Sequence, residues 1–101
     1  MARLSDEEIA AALAADDLSG WERDDDRITK EFRFRNFVDA IAFIDRLVAP
    51  AEAANHHPDL ENHYNRVRVS LRTWDEGGVT EKDLALARAI EALSPPDAAA
   101  P

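Results

Sequence analysis

The sequence predicts an α+β domain: a four-stranded antiparallel sheet with helices packed on one face, in the order helix-ββ-helix-ββ-helix. Three observations predict it. Apolar residues recur at period two in two separate stretches, residues 18–35 and 62–74. Between those stretches they recur at helical spacing. Each helical stretch is preceded by a residue that caps helix N-termini: Ser5, Asn36 and Thr80. Strand pairs separated by helices form one layer of sheet under one layer of helix.

The first helix is expected over residues 6–15. Ser5-Asp6-Glu7-Glu8 has the form of a capping box, and Ile9, Ala12 and Leu13 follow on one face. Trp21 opens the first strand, and Asp24-Asp25-Asp26 reads as a turn. In the second strand Ile28, Lys30, Phe32 and Phe34 alternate with Thr29, Glu31, Arg33 and Arg35, giving one apolar and one charged face.

Asn36 caps the main core helix, with Asp39 three residues on. Phe37, Ile41, Ile44 and Val48 recur at helical spacing, with Ala40, Phe43 and Leu47 beside them, and the helix runs toward His56. Pro50 lies inside it. Its ring should clash with the carbonyl of Arg46, which predicts a kink there or a break between Val48 and Glu52. Strand character returns over residues 62–74, with Val67, Val69 and Leu71 on one side and Arg66, Arg68, Ser70 and Arg72 on the other. Residues 75–78 form a loop. Thr80-Glu81-Lys82-Asp83 is another capping box, and Leu84, Ala87, Ile90 and either Leu86 or Leu93 follow on one face. Residues 1–93 thus form a single domain, and residues 94–101 a flexible Pro/Ala-rich tail. The uncovered sheet face would carry Arg33, Arg35, Arg68 and Arg72. An open sheet also leaves edges that invite pairing, so a dimer with a continued sheet is expected.

Composition narrows the partners. Lys and Arg number 12 and Asp and Glu 21, so the net charge is 12 − 21 = −9. An acidic domain lacks the electrostatic footprint of a nucleic-acid binder and is repelled by an anionic membrane surface. No apolar run reaches membrane-spanning length and the first residues lack a signal-peptide core, so a soluble, cytoplasmic protein is expected. With no cysteine there is no thiolate nucleophile and no sulfur-ligated zinc. A neutral small molecule or another protein is the better partner.

All three histidines, His56, His57 and His63, fall within eight positions. Histidine titrates near neutral pH unaided, so the cluster suggests proton transfer. A plainer reading is a helix end, where imidazole suits the dipole and Pro58 stops the helix. His63 lies on a strand and reads as a surface residue. Glu52 and His56 alone make an incomplete metal site, so no metal is expected. Asp83 has a structural role in its capping box, and Trp74, at a strand end, can be a packing residue.

The spacing from Glu52 through His56-His57-Pro58, Tyr64 and Trp74 to Asp83 resembles the signature of the pterin-4a-carbinolamine dehydratases, also known as the dimerisation cofactor of a hepatocyte transcription factor. Asn62-His63-Tyr64-Asn65-Arg66-Val67 resembles the family's Asn-Val-Tyr-Asn-x-Val strand. Gly78-Val79-Thr80-Glu81-Lys82-Asp83 resembles its turn into the last helix. Leu18, Gly20, Trp21 and Phe32-x-Phe34 also fit, so the likeness covers about residues 5–93. It implies an α+β domain that forms homodimers or homotetramers. It also implies dehydration of a 4a-hydroxytetrahydropterin to quinonoid dihydropterin, which recycles a tetrahydropterin cofactor. No cofactor of the enzyme's own is implied.

By the same resemblance His56 is the principal general acid/base. His57 binds or orients the pterin and shares the catalytic set, and Asp83 orients a catalytic partner. Glu52 supports the site, while Pro58, Tyr64 and Trp74 contact the substrate. At Trp74 the best-known members have a third histidine. Indole has one N–H donor and no basic nitrogen, so it can stack or donate but cannot act as acid/base. A second reading keeps the fold as a catalytically weak protein-binding or dimerisation module.

Overall fold

A computed structural model describes residues 2–93. The expected tail, 94–101, lies outside the described residues. The elements follow the expected order. Helix α1 spans Asp6–Leu13, strand β1 Glu22–Asp24, strand β2 Arg27–Arg33 and helix α2 Phe37–Ala54. Strand β3 spans Asp59–His63, strand β4 Arg66–Leu71 and helix α3 Glu81–Glu91. The strands form one antiparallel sheet in the order β1-β2-β4-β3, so β1 and β3 are its edges.

All three helix starts are capped as the sequence predicts. Ser5 Oγ accepts the Glu8 N–H at 3.1 Å while Glu8 Oε1 accepts the Ser5 N–H at 2.8 Å. Asn36 Oδ1 accepts the Asp39 N–H at 2.9 Å. Thr80 and Asp83 close the third box. Helix α1 stops at Leu13, short of the expected residue 15, and a 3₁₀ turn over Asp16–Leu18 buries Leu18. The turn between β1 and β2 places Asp25 at φ 56°, a conformation that aspartate tolerates better than most side chains.

Of the two outcomes expected at Pro50, a kink or a break, the break does not occur: helix α2 continues from Phe37 to Ala54. Proline removes one amide donor from the ladder, and Leu47 and Ala51, buried on either side of it, hold the helix against the core. The second strand pair is present as expected, but its bounds differ from the strand character read over 62–74: it begins at Asp59, reverses at Tyr64-Asn65 and ends at Leu71. Tyr64 takes φ 54°, a conformation that propensity does not assign to tyrosine.

The sheet's inner face supplies Ile28, Phe32, Val67, Val69 and Leu71 to the core, opposite Phe43 and Leu47 of α2 and Leu84, Ala87 and Ile90 of α3. Phe43 sits against both Phe32 and Phe34, with ring centroids 4.9 and 5.0 Å away. Such ring pairs add about 0.5–1.5 kcal/mol each beyond the area they bury. The buried Trp21 satisfies its indole N–H on Glu91 Oε2 at 3.1 Å, and Lys30 Nζ joins the same carboxylate at 2.8 Å.

On the opposite face the register brings residues of mixed sign into rows. Glu31, Arg68 and Glu61 form one row, and Arg33, Arg66 and His63 the next. Arg35 lies past the end of β2 and pairs with Asp39 at 2.8 Å. No helix among the described residues is long and apolar enough to cross a membrane.

Candidate active site

The site forms where α2 ends, β3 begins and α3 starts. At the C-terminus of α2, Asn55 adopts the left-handed conformation, φ 49° and ψ 44°. Its N–H bonds the Glu52 carbonyl at 3.1 Å, and the His56 N–H bonds the Ala51 carbonyl at 3.1 Å. This pair of bonds is the Schellman motif, which satisfies orphan carbonyls and reverses the chain sharply. Pro58 then leads directly into β3 at Asp59. The sharp reversal lets the adjacent residues His56 and His57 serve different partners.

His56 turns inward. Its Nε2 lies 2.5 Å from Oδ1 of Asp83. The His56 side chain is 10% exposed and the Asp83 carboxylate is fully buried. A buried carboxylate needs donors on both oxygens. Oδ2 of Asp83 accepts the Thr80 N–H at 2.8 Å and the Thr73 hydroxyl at 2.9 Å. Thr73 Oγ1 also lies 2.8 Å from Thr80 Oγ1, which accepts the Lys82 N–H at 3.2 Å. The capping residue expected at Asp83 therefore caps with one oxygen and meets histidine with the other.

His57 turns outward. Its Nε2 lies 2.5 Å from Oε2 of Glu52, with side chains 57% and 68% exposed. Glu52 thus pairs with His57, not with His56 at i, i+4. The two adjacent imidazoles each hold a carboxylate, one pair buried and one in water. Among the described residues no group of three or more potential ligands could hold a metal.

Trp74 begins the 3₁₀ turn Trp74–Glu76, one residue after Thr73. Thr73 and Gly78 pair across the base of this turn, the Thr73 N–H bonding the Gly78 carbonyl at 2.9 Å. The indole is 65% exposed. Behind it lies the Arg72 guanidinium, 3.9 Å from the ring centroid, a cation–π stack. Arg72 forms an ion pair with Asp26, Asp26 meets Arg27 at 3.4 Å, and Arg27 meets Asp59 at 3.2 Å. This run of alternating charges links the Trp74 turn to the residue that follows Pro58.

The structure thus brings together Glu52, His56, His57, Pro58 and Asp83, with Trp74 on the adjoining turn. Tyr64 does not join them within one chain. It sits exposed at the far end of the β3–β4 hairpin, five residues from Asp59, or roughly 17 Å at the rise of an antiparallel strand. His63 stands exposed on β3, 3.6 Å from Glu61, as expected of a surface residue. Sequence reasoning missed Thr73, Thr80 as a hydroxyl donor, Arg72 as a stacking partner and Asn55. Asn55 alone carried a signal, since asparagine just past a helix end favours the left-handed cap.

Fold and site together define a small α+β protein with paired histidine–carboxylate dyads at one end of an antiparallel sheet. The chain belongs to the pterin 4 alpha carbinolamine dehydratase family, whose family model matches residues 2–93. It is 48% identical over 91 residues to a protein of Picosynechococcus sp. named "Putative pterin-4-alpha-carbinolamine dehydratase", covering 90% of this chain and 97% of that one. A protein of the same name from Thermosynechococcus vestitus is 50% identical over 92 residues, covering 91% and 95%. Among solved structures, a transcriptional coactivator/pterin dehydratase from Brucella melitensis superposes with a TM-score of 0.84 at 41% identity, over 92% of this chain and 99% of that one. A pterin dehydratase-like protein described as a RuBisCO assembly factor in the alpha-carboxysome superposes at 0.64 with 24% identity, over 76% and 92%, a likeness of fold alone.

Proposed function

We propose that this protein dehydrates 4a-hydroxytetrahydropterin to quinonoid dihydropterin and water, and so supplies the form from which a separate two-electron reduction regenerates the tetrahydropterin cofactor. The observation that carries the proposal is the His56–Asp83 pair, buried beside the exposed His57–Glu52 pair. A carbinolamine bears hydroxyl and amine on one carbon. Its dehydration breaks the C–O bond, takes up one proton on the leaving hydroxyl and releases one from the amine nitrogen as C=N forms. One positioned base and one positioned acid suffice, and each contributes about 10²–10⁴-fold.

His56 is the base. Asp83 holds its Nε2 and leaves Nδ1 to receive the amine proton, and the buried carboxylate stabilises the imidazolium that results. His57 orients the pterin and delivers a proton to the leaving hydroxyl, as an imidazolium that Glu52 stabilises. Pro58 borders the substrate. Trp74, with no basic nitrogen, supplies a flat wall against which a pterin stacks. Tyr64 enters this reading only through a second protomer. A homodimer or homotetramer is consistent with the unpaired outer edges of β1 and β3 and with Phe37, Val38 and Val48, exposed along α2.

The test is stopped-flow dehydration of freshly generated 4a-hydroxytetrahydropterin. The wild type should accelerate it, and His56→Ala should lose most of that acceleration while remaining folded. A His56→Ala protein as fast as wild type removes His56 from the reaction. If the wild type adds nothing to the spontaneous rate, the second reading takes over: a protein-binding module that uses the exposed residues of α2. That module would hold a stable protein partner through Phe37, Val38 and Val48, and Val38→Asp would release it.

A further inference from the structure

We infer that Thr73 is a positioning residue that, through Asp83, fixes which ring nitrogen of His56 is free to react. The inference deepens the dehydratase reading and rests on it for its kinetic consequence, but its structural content stands alone. The directions of the hydrogen bonds follow from what each group can do. Backbone N–H groups only donate, and a carboxylate only accepts. The Lys82 N–H therefore donates to Thr80 Oγ1. The Thr73 hydroxyl proton goes to Asp83 Oδ2, beside the Thr80 N–H. With its one proton so used, Thr73 Oγ1 can only accept across its contact with Thr80 Oγ1, so the Thr80 hydroxyl proton goes to Thr73. Both donors fall on Oδ2, so Oδ1 faces His56 alone.

An acceptor at Oδ1 requires a donor at Nε2. His56 therefore carries a proton on Nε2, and in its neutral form the lone pair is on Nδ1. Thr73, Thr80 and Asp83 are all at most 3% exposed, so water cannot take over a missing donor at little cost. Thr80 also caps α3, and its substitution would disturb the helix. Thr73 has no capping bond and touches Asp83 by its hydroxyl alone among its side-chain hydrogen bonds other than that with Thr80. Thr73→Val keeps the side-chain shape and removes the donor. Asp83 would then be held by the Thr80 N–H alone, and its contact with His56 would loosen, so that no acceptor is held constantly at Nε2 to keep the proton there.

The experiment reads the ring nitrogens of His56 by ¹⁵N NMR in the resting protein, with wild type beside Thr73→Val and Thr73→Ser. In wild type and Thr73→Ser, His56 should carry its proton on Nε2. In Thr73→Val the signal should shift toward a mixture of tautomers. The kcat should fall by roughly tenfold, a fraction of what a positioned base contributes, with KM within about twofold, and serine should restore it. A wild-type His56 protonated on Nδ1 overturns the inference without any variant. So does a folded Thr73→Val with the wild-type spectrum. The spectrum requires no turnover, so a protein that fails to dehydrate pterins would sink the proposed function and leave the tautomer test standing.

Discussion

Nε2 of His56 lies 2.5 Å from Oδ1 of Asp83, although 27 positions separate the two residues. One closes the Schellman turn at the end of α2 and the other is the third residue of α3. Two helix termini therefore meet at the site, and local capping rules at each end decide how a histidine and a carboxylate face each other. Backbone chemistry that would exist in any helix has been turned to orienting an imidazole.

Asp83→Asn should separate the two duties of this carboxylate. The amide oxygen can still accept the Thr80 N–H and the Thr73 hydroxyl, which leaves the NH₂ group toward His56. A donor at that position forces Nε2 to accept and moves the ring proton to Nδ1, the wrong tautomer for a base. Stability should fall by about 1–3 kcal/mol, the range for disturbing a buried polar group. The kcat should fall by about 10²–10⁴-fold, as when a general base is lost. Urea unfolding and stopped-flow dehydration check the two numbers. A kcat near wild type would show that the Asp83 contact does not set the His56 tautomer.

Glu52→Gln should show the reverse balance. The His57–Glu52 pair is open to water, and exposed pairs contribute about 0–1 kcal/mol. The urea midpoint should barely move. Turnover should drop because His57 loses the partner that orients its ring and stabilises its cationic form. Equal turnover in the two proteins would remove Glu52 from the site.

Trp74 gives a binding signal that distinguishes it from the other tryptophan. Trp21 is buried at 3% exposure, whereas Trp74 is 65% exposed over the Arg72 guanidinium. A pterin stacked on Trp74 should quench its emission, and Trp74→Phe should abolish most of that quenching while retaining a ring to stack on. Trp74→Ala should raise KM by roughly tenfold, equivalent to the ~1.4 kcal/mol expected of a stacking contact. Fluorescence titration with dihydropterin, followed by steady-state kinetics, measures both. Quenching that persists in Trp74→Phe would place the ligand elsewhere.

The sequence made the fold legible because its signals were local and agreed with one another. Ser5, Asn36 and Thr80 marked helix starts, and alternation in β2 and β4 marked the inner face. Pro50 does not break the helix, one of its two expected outcomes, because one lost amide bond is outweighed by the burial of Leu47 and Ala51 around it. Tyr64 misled because nothing in its chemistry announces a left-handed turn; the strand pairing on either side imposes it. Most of the site was legible through the resemblance, in the spacing of Glu52, His56, His57 and Asp83. Thr73 was not, since a threonine at the end of a strand looks like any other until the fold sets it against Asp83. The Arg72–Trp74 stack was hidden for a different reason. Alternation places the two on the same side of an ideal strand, but the stack forms only because the chain leaves the strand at Leu71.

Asn55 carries the last prediction, because the position of His56 depends on a backbone conformation more than on any side-chain contact. At φ 49° and ψ 44° a residue with a Cβ is crowded, and asparagine tolerates the region better than most. Asn55→Gly should leave the turn intact, with stability and turnover close to wild type. Asn55→Val introduces a β-branched side chain where the left-handed region is least accessible, and should cost about 1–2 kcal/mol. Some of that cost can be relieved by unwinding the last turn of α2, which holds Ala51 and Glu52 through the bonds from His56 and Asn55. Relief by that route swings His56 away from Asp83. Asn55→Val should therefore lose turnover by more than its loss of folded protein, and chemical denaturation run beside stopped-flow kinetics measures the difference. If the folded fraction of Asn55→Val turns over at the wild-type rate, the cap stabilises the fold without aiming the histidine.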